Sequence, residues 1–378
     1  MNVHVVSAPA LVIDGVLSGP GAVEITAGRI SAVLDRVPAP GPEHTALPDG
    51  VLSAGLVDLQ VNGFAGYDLA DADPVGWEAV RRALPSTGVT SFLATFITAP
   101  VAEQAAAMTR GAAAASRPDG ARLLGVHLEG PFLSAQQQGA HDPSLLLDPD
   151  PASVALLLEH DLLALVTLAP ERAGADAAIA ALTDRGVVVS LGHSDADATQ
   201  ALAGVDAGAR MVTHLFNAMR PLHHRDPGLV GVALSDDRLT LGLICDLHHV
   251  AERVCTLVLR AAPGRVALVT DAVAATTMPP GRYDLGGEVL VVDAPGGLPR
   301  RLDGTIAGST LTLDRAVRNA VGCGLAPAAA IAAASRVPAR LLGRDDVGDL
   351  TVGAHADLVW WSPDLQVRRS WLGGSALD

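Results

Sequence analysis

The 378-residue chain contains no lysine; all 26 of its Lys-plus-Arg positions are arginine. This absence excludes Schiff-base chemistry, and with it pyridoxal phosphate enzymes and class I aldolases. It excludes a Walker-type nucleotide site, which needs the P-loop lysine. It also excludes a carbamylated lysine bridging two metal ions. Cysteine is scarce: only Cys245, Cys255 and Cys323 occur. Their odd number and unpaired spacing predict a reducing compartment without a disulfide framework. The N-terminus, MNVHVVSAPALVIDG, lacks a basic region followed by an apolar one, so no signal peptide is expected. No apolar run reaches the ~20 residues of a membrane helix. The net charge of −15 argues against non-specific nucleic-acid binding. The expectation is a soluble cytoplasmic protein with neither nucleic acid nor membrane as partner.

What is present suits a large core: 49% of residues are hydrophobic and 18% charged. The length fits two or three modules, or one large α/β domain with an appendage. Residues 2–35 read as short strands separated by Gly, Pro and Asp, and 36–50 (RVPAPGPEHTALPDG) as a linker. Residues 346–361 (DVGDLTVGAHADLVWW) are again β-like. These patterns predict that residues 1–53 and 346–378 share one small β-sandwich domain around a main domain of residues 54–345.

Within the main domain, eight short apolar runs alternate with Ala-rich stretches of helical length. The runs are 56–62, 89–96, 122–130, 162–171, 186–194, 210–218, 239–249 and 265–272. Eight βα units of this kind predict an α/β fold, a (β/α)8 TIM-like barrel. An open doubly wound sheet is the alternative, but QVNGFAG after the first run is not the expected G-x-G-x-x-G.

Polar residues collect at the carboxyl ends of these runs: Gln60 and Asn62, His127 and Glu129, His193, His214 and Asn217, Asp246, His248 and His249, Asp271. In a barrel those ends converge on the face that carries active sites. A single strand-end His is commonly a packed core residue, and Glu129 alone could pair with an arginine. Together, Glu129, His193 and His214 predict a shared metal with an open coordination position suited to hydrolysis. Asp271 is either a helix cap or a general base beside that metal. His141, in QGAHDP, is a loop histidine that pattern alone leaves unassigned. Arg225 and His249 suit an anionic substrate group, or simply a solvated surface. His223, His224 and His248 read as loop or supporting residues.

The chain resembles the N-acetylglucosamine-6-phosphate deacetylase family of the amidohydrolase superfamily. The resemblance covers nearly the whole chain. It rests on AGLVDLQVNGFAG, GVHLEGPFLS followed by GAHDP, LGHSDAD, THLFNAMRPLHHRDPG, ICDLHHV, LVTDAVA, IAGSTLTLDRAVRN and VGDLTVGAHADLVWW. It implies metal-dependent removal of the N-acetyl group of N-acetylglucosamine 6-phosphate, in amino-sugar catabolism and cell-wall sugar recycling. One divalent ion per subunit would be held by Glu129, His193 and His214, with Zn²⁺ first and Fe²⁺ as the alternative. Asp271 would be the base and His141 would polarise the acetyl carbonyl. Gln60, Ala140, His141, Asn217, Ala218, Ala307 and Gly308 would contact the sugar, and Arg225 and His249 the phosphate. A homodimer sharing phosphate ligands across its interface is implied. Many amidohydrolases carry His-x-His on the first strand; Gln60-Val61-Asn62 stands there here, which favours a single metal. The competing readings are a relative acting on another N-acyl amino-sugar phosphate or a cyclic amide, and a non-catalytic sugar-phosphate sensor.

Overall fold

The computed structural model describes residues 3–115 and 119–377. Residues 1, 2 and 378 of the expected end domain lie outside that range. Eight parallel strands form one sheet in strict sequential order. They are β1 (Leu56–Val61), β2 (Val89–Phe96), β3 (Arg122–Glu129), β4 (Leu163–Leu168), β5 (Val188–Leu191), β6 (Met211–Val212), β7 (Thr240–Leu243) and β8 (Val266–Leu268). Each falls within one of the eight apolar runs. Bonds from the Asn62 and Gly63 amides to the Ala272 carbonyl, at 2.8 and 3.0 Å, bring β1 against the end of β8 and nearly close the barrel.

The strands are apolar because both of their faces are covered. β2 (VTSFLATF) is buried at every position. Helices follow the strands in turn. Asp197 and Gln200 form a capping box that starts Ala198–Ala207 just after His193. Arg265 donates to the Ala233, Leu234, Asp236 and Leu239 carbonyls, satisfying the end of helix Gly228–Ser235.

The two chain ends build a separate pair of sheets. One has four strands; the other pairs Val51–Ala54 with Leu358–Trp361, and this with Val367–Leu372. Their shared core includes Val6, Val23, Ile30, Leu52, Leu358 and Trp371. Two details differ from the sequence reading. The segment 36–50 is not all linker: His44–Ala46 is a strand paired in parallel with His4–Ala8. Within 346–361, only Leu358–Trp361 is strand. In both places tertiary pairing overrides local composition.

An insertion after β8 was not anticipated. Strands Gly281–Leu285 and Glu288–Val292 form a hairpin joined by Gly286-Gly287, both at positive φ (54° and 82°), as a two-residue turn demands. Its residues Leu285, Leu290 and Val292 pack on Val273 and Ala307 above the barrel mouth.

Trp371 is 1% exposed in the core of the end module. Trp371→Ala is expected to cost about 3–5 kcal/mol of unfolding free energy, measured by urea titration, while leaving the catalytic constants of the folded protein unchanged.

Candidate active site

The barrel brings three of the predicted residues to one point. Glu129 ends β3, while His193 and His214 follow β5 and β6. All three are buried. Glu129 Oε1 lies 2.8 Å from His214 Nε2 and 3.2 Å from His193 Nε2, and the two Nε2 atoms are 3.2 Å apart. Ligand atoms sharing a tetrahedral ion at 2.0–2.1 Å stand roughly 3.3 Å from one another, so the spacing fits a cation. His193 Nδ1 donates to the Gln137 carbonyl at 2.9 Å, which frees its Nε2 lone pair. His214 Nδ1 is buried with no hydrogen-bond partner among the described residues. Glu129, His193 and His214 could therefore hold a divalent ion.

Electrostatics agree with the geometry. Burial alone would push the Glu129 carboxyl up, but the hydrogen bonds and charges of His193 and His214 outweigh it and hold it well below its ordinary value. Burial alone would lower His214; the Glu129 carboxylate reverses that and raises it.

Asp271 sits beside this cluster. Its Oδ1 accepts from Asn62 Nδ2 at 2.8 Å and Gln60 Nε2 at 3.1 Å. Gln60 Nε2 also reaches both Glu129 oxygens at 3.4 Å, so one amide group ties the two carboxylates together. Burial first, and then the Glu129 charge, raise the Asp271 carboxyl to about 6. Below it, Asp58 accepts from Thr270 Oγ1 at 2.7 Å and fixes the residue preceding Asp271. His193, His214 and Asp271 all have positive φ (47°, 25° and 53°). Such backbone costs about 1–3 kcal/mol per residue and persists where the surroundings over-determine it.

His141 accepts at Nδ1 from the Thr98 amide (3.2 Å) and pairs there with the Thr98 hydroxyl (2.8 Å). An accepting Nδ1 places the ring proton on Nε2, which lies 3.9 Å from Glu129 Oε2. Burial, then the neighbouring His193, lower His141 to about 3, so it stays a neutral donor.

These residues open on a cavity of about 210 Å³. Ala140, His141, Asn217, Ala218, His249, Ala307 and Gly308 line it. Gly308 is required there: a Cβ would lie 2.3 Å from Val273 Cγ1 and 2.9 Å from the Asp271 carbonyl. His249 donates from Nδ1 to Asp246 Oδ2 at 2.6 Å. Burial alone would raise Asp246, but its bonds to His249 and to the His248 and His249 amides hold it low.

Three further residues of the sequence reading are placed as follows. Gln60 does not line the cavity; it bridges the two carboxylates beneath it. Arg225 does not line it either, and instead pairs with His224 Nε2 at 3.0 Å on the surface. His248, read as a supporting residue, lines it. Sequence reasoning missed the apolar wall of Ile97, Ile244, Leu285 and Ile306. It also missed Asp68, whose Oδ2 takes the Gly286 amide at 2.6 Å and pins the hairpin over the cavity.

A parallel barrel with a buried Glu/His/His cluster at its carboxyl face defines a metal-dependent hydrolase class. A family model described as "Amidohydrolase family" matches residues 51–377, and the chain belongs to that family. It is 40% identical over 353 residues to the N-acetylgalactosamine-6-phosphate deacetylase of Escherichia coli O157:H7, covering 92% of each chain. It is 40% identical over 343 residues to the N-acetylglucosamine-6-phosphate deacetylase of Danio rerio, covering 86% of this chain and 83% of that one. The solved structure of a mutant of the Mycobacterium smegmatis N-acetyl-D-glucosamine-6-phosphate deacetylase, in complex with N-acetyl-D-glucosamine 6-phosphate, superposes with a TM-score of 0.92. It shares 35% identity and covers 100% of this chain and 99% of its own.

Glu129→Gln removes a charged donor from the cluster. Metal retained after dialysis, measured by plasma mass spectrometry, is expected to fall by one equivalent per chain. Retention at the wild-type level would contradict the assignment.

Proposed function

We propose that the protein hydrolyses the N-acetyl group of N-acetylglucosamine 6-phosphate, releasing acetate and glucosamine 6-phosphate. The observation that carries this is Asp271, a carboxylate raised toward neutrality, beside a Glu129–His193–His214 cluster that lines a cavity at the carboxyl face of the barrel. The relatives that cover most of the chain are deacetylases of N-acetylated amino-sugar phosphates.

A divalent ion at Glu129, His193 and His214, Zn²⁺ before Fe²⁺, supplies Lewis acidity toward the acetyl carbonyl and acidifies water. Asp271 takes a proton from the attacking water as its oxygen adds to the acetyl carbon. The Nε2–H of His141 donates to the oxyanion that develops, a contribution of roughly 2.7–4 kcal/mol for such donors. Asp271 then returns the proton to the sugar nitrogen, the C–N bond breaks, and acetate and the free amine leave. The hydrogen bonds from Gln60 and Asn62 occupy Oδ1 of Asp271, which leaves Oδ2 for this shuttle. Asn217, Ala218, Ala307 and Gly308 face the sugar, and His249, oriented by Asp246, faces its phosphate. Arg225 lies outside its own cavity, so the proposal includes a homodimer in which Arg225 of one copy serves the phosphate in the other. The enzyme would act in the cytoplasm, in amino-sugar catabolism.

A second substrate reading has one specific support, the relative named for N-acetylgalactosamine 6-phosphate. The two sugars differ only in configuration at C4. Parallel kcat/KM measurements on both decide between them.

Asp271→Asn is expected to keep its metal and lose at least ~100-fold in turnover; near-normal acetate release by the metal-loaded variant would refute its role. In the wild type, kcat/KM should fall on the acid side as pH drops through about 6, where Asp271 gains its proton. Arg225→Ala should raise KM for the phosphorylated sugar roughly ten-fold or more, with little change in kcat. An unchanged KM would place the phosphate elsewhere.

A further inference from the structure

The chain has three cysteines in 378 residues, and the fold brings all three to one place. Cys245 follows β7, Cys255 lies early in the helix Glu252–Ala261, and Cys323 caps the helix Leu313–Gly322. All are buried and reduced, and their Sγ atoms lie within 4.8 Å of one another. Cysteines used merely as small apolar residues have no reason to converge from three separate elements when the rest of the chain contains none.

We propose that Cys245, Cys255 and Cys323 form a second metal site, a buried thiolate cluster for one thiophilic d10 cation of the Zn²⁺ class. Zinc–thiolate bonds of 2.3 Å set sulfurs about 3.8 Å apart. The cluster therefore needs to contract by roughly 1 Å at most. The hydroxyl of Thr256 and Sγ of Cys323 share the Glu252 carbonyl, at 3.0 and 3.8 Å, which puts an oxygen donor beside the sulfurs. Three thiolates around a divalent ion carry one excess negative charge. Cys255 stands near the positive N-terminus of its helix, which favours thiolate there. Of the acidic neighbours, Asp246 is paired with His249 and Glu252 opens the helix.

The consequence is mechanical. Cys245 directly precedes Asp246, which orients His249 in the catalytic cavity. The Cys245 carbonyl also accepts from Asn319 Nδ2 at 2.8 Å, from the same helix that Cys323 caps. An ion bound to the three sulfurs ties both helices to the strand end that carries Asp246.

The cysteine site can be read separately from the cluster beside Asp271, because its donors are sulfur while Glu129, His193 and His214 offer only nitrogen and oxygen. Cd²⁺ is therefore titrated into reduced, metal-loaded protein while the ultraviolet thiolate-to-cadmium charge-transfer absorption is followed. The expected result is a band saturating at one equivalent per chain, with a raised Tm. The band should be lost in Cys255→Ser and in Cys323→Ser, with folding checked by circular dichroism and acetate release retained. In the wild-type protein, Cd²⁺ should also slow native-state alkylation of the thiols by at least ten-fold. No band at one equivalent, a band surviving in both serine variants, or alkylation unaffected by Cd²⁺ would each overturn the proposal.

Discussion

The site depends on one costly arrangement, a carboxylate buried at the end of β3 against two imidazoles. Glu129 would not stay ionised in an apolar barrel without His193 and His214, and their Nε2 atoms stand close to each other only because the carboxylate holds them. Two ring nitrogens 3.2 Å apart, facing one oxygen, make a donor set that a cation completes. The surroundings serve this cluster. Gln137 fixes the His193 tautomer, and the strained backbone at His193 and His214 turns both rings inward.

Around that cluster the protein separates two carboxyl groups by environment. Glu129 is held low by its histidines, while Asp271 is raised by burial and by the Glu129 charge. In the proposed reaction this makes one a metal ligand and the other a proton carrier near neutral pH. The Gln60 amide spans the pair, and Asn62 completes the restraint on Asp271. At the end of β1, Gln60 and Asn62 thus supply the amide donors that hold the two carboxylates in place. In a chain that has no lysine, the proposed chemistry rests on this cluster and this base.

Much of this was readable in sequence because barrel strands tolerate few polar residues, so Glu129, His193, His214 and Asp271 stood out at the ends of apolar runs. The eight strands were legible for the same reason. What was not legible depends on proximity rather than spacing. His44–Ala46 is a strand only because His4–Ala8 lies beside it. The hairpin 281–292 and its anchor Asp68 are far apart in the chain. The resemblance gives Gln60 as a sugar contact; that its amide spans two carboxylates emerges only once β1, β3 and β8 are side by side. Cys245, Cys255 and Cys323 have no metal-binding spacing along the chain and become a cluster only when folded.

The central claim is that the Glu129–His193–His214 cluster makes acetate release metal-dependent. The most direct measurement is acetate release from N-acetylglucosamine 6-phosphate by protein stripped with a chelator and then resupplied with metal. The account predicts no turnover in the stripped protein and recovery on adding Zn²⁺ or Fe²⁺. Undiminished acetate release by folded, metal-free protein would contradict it.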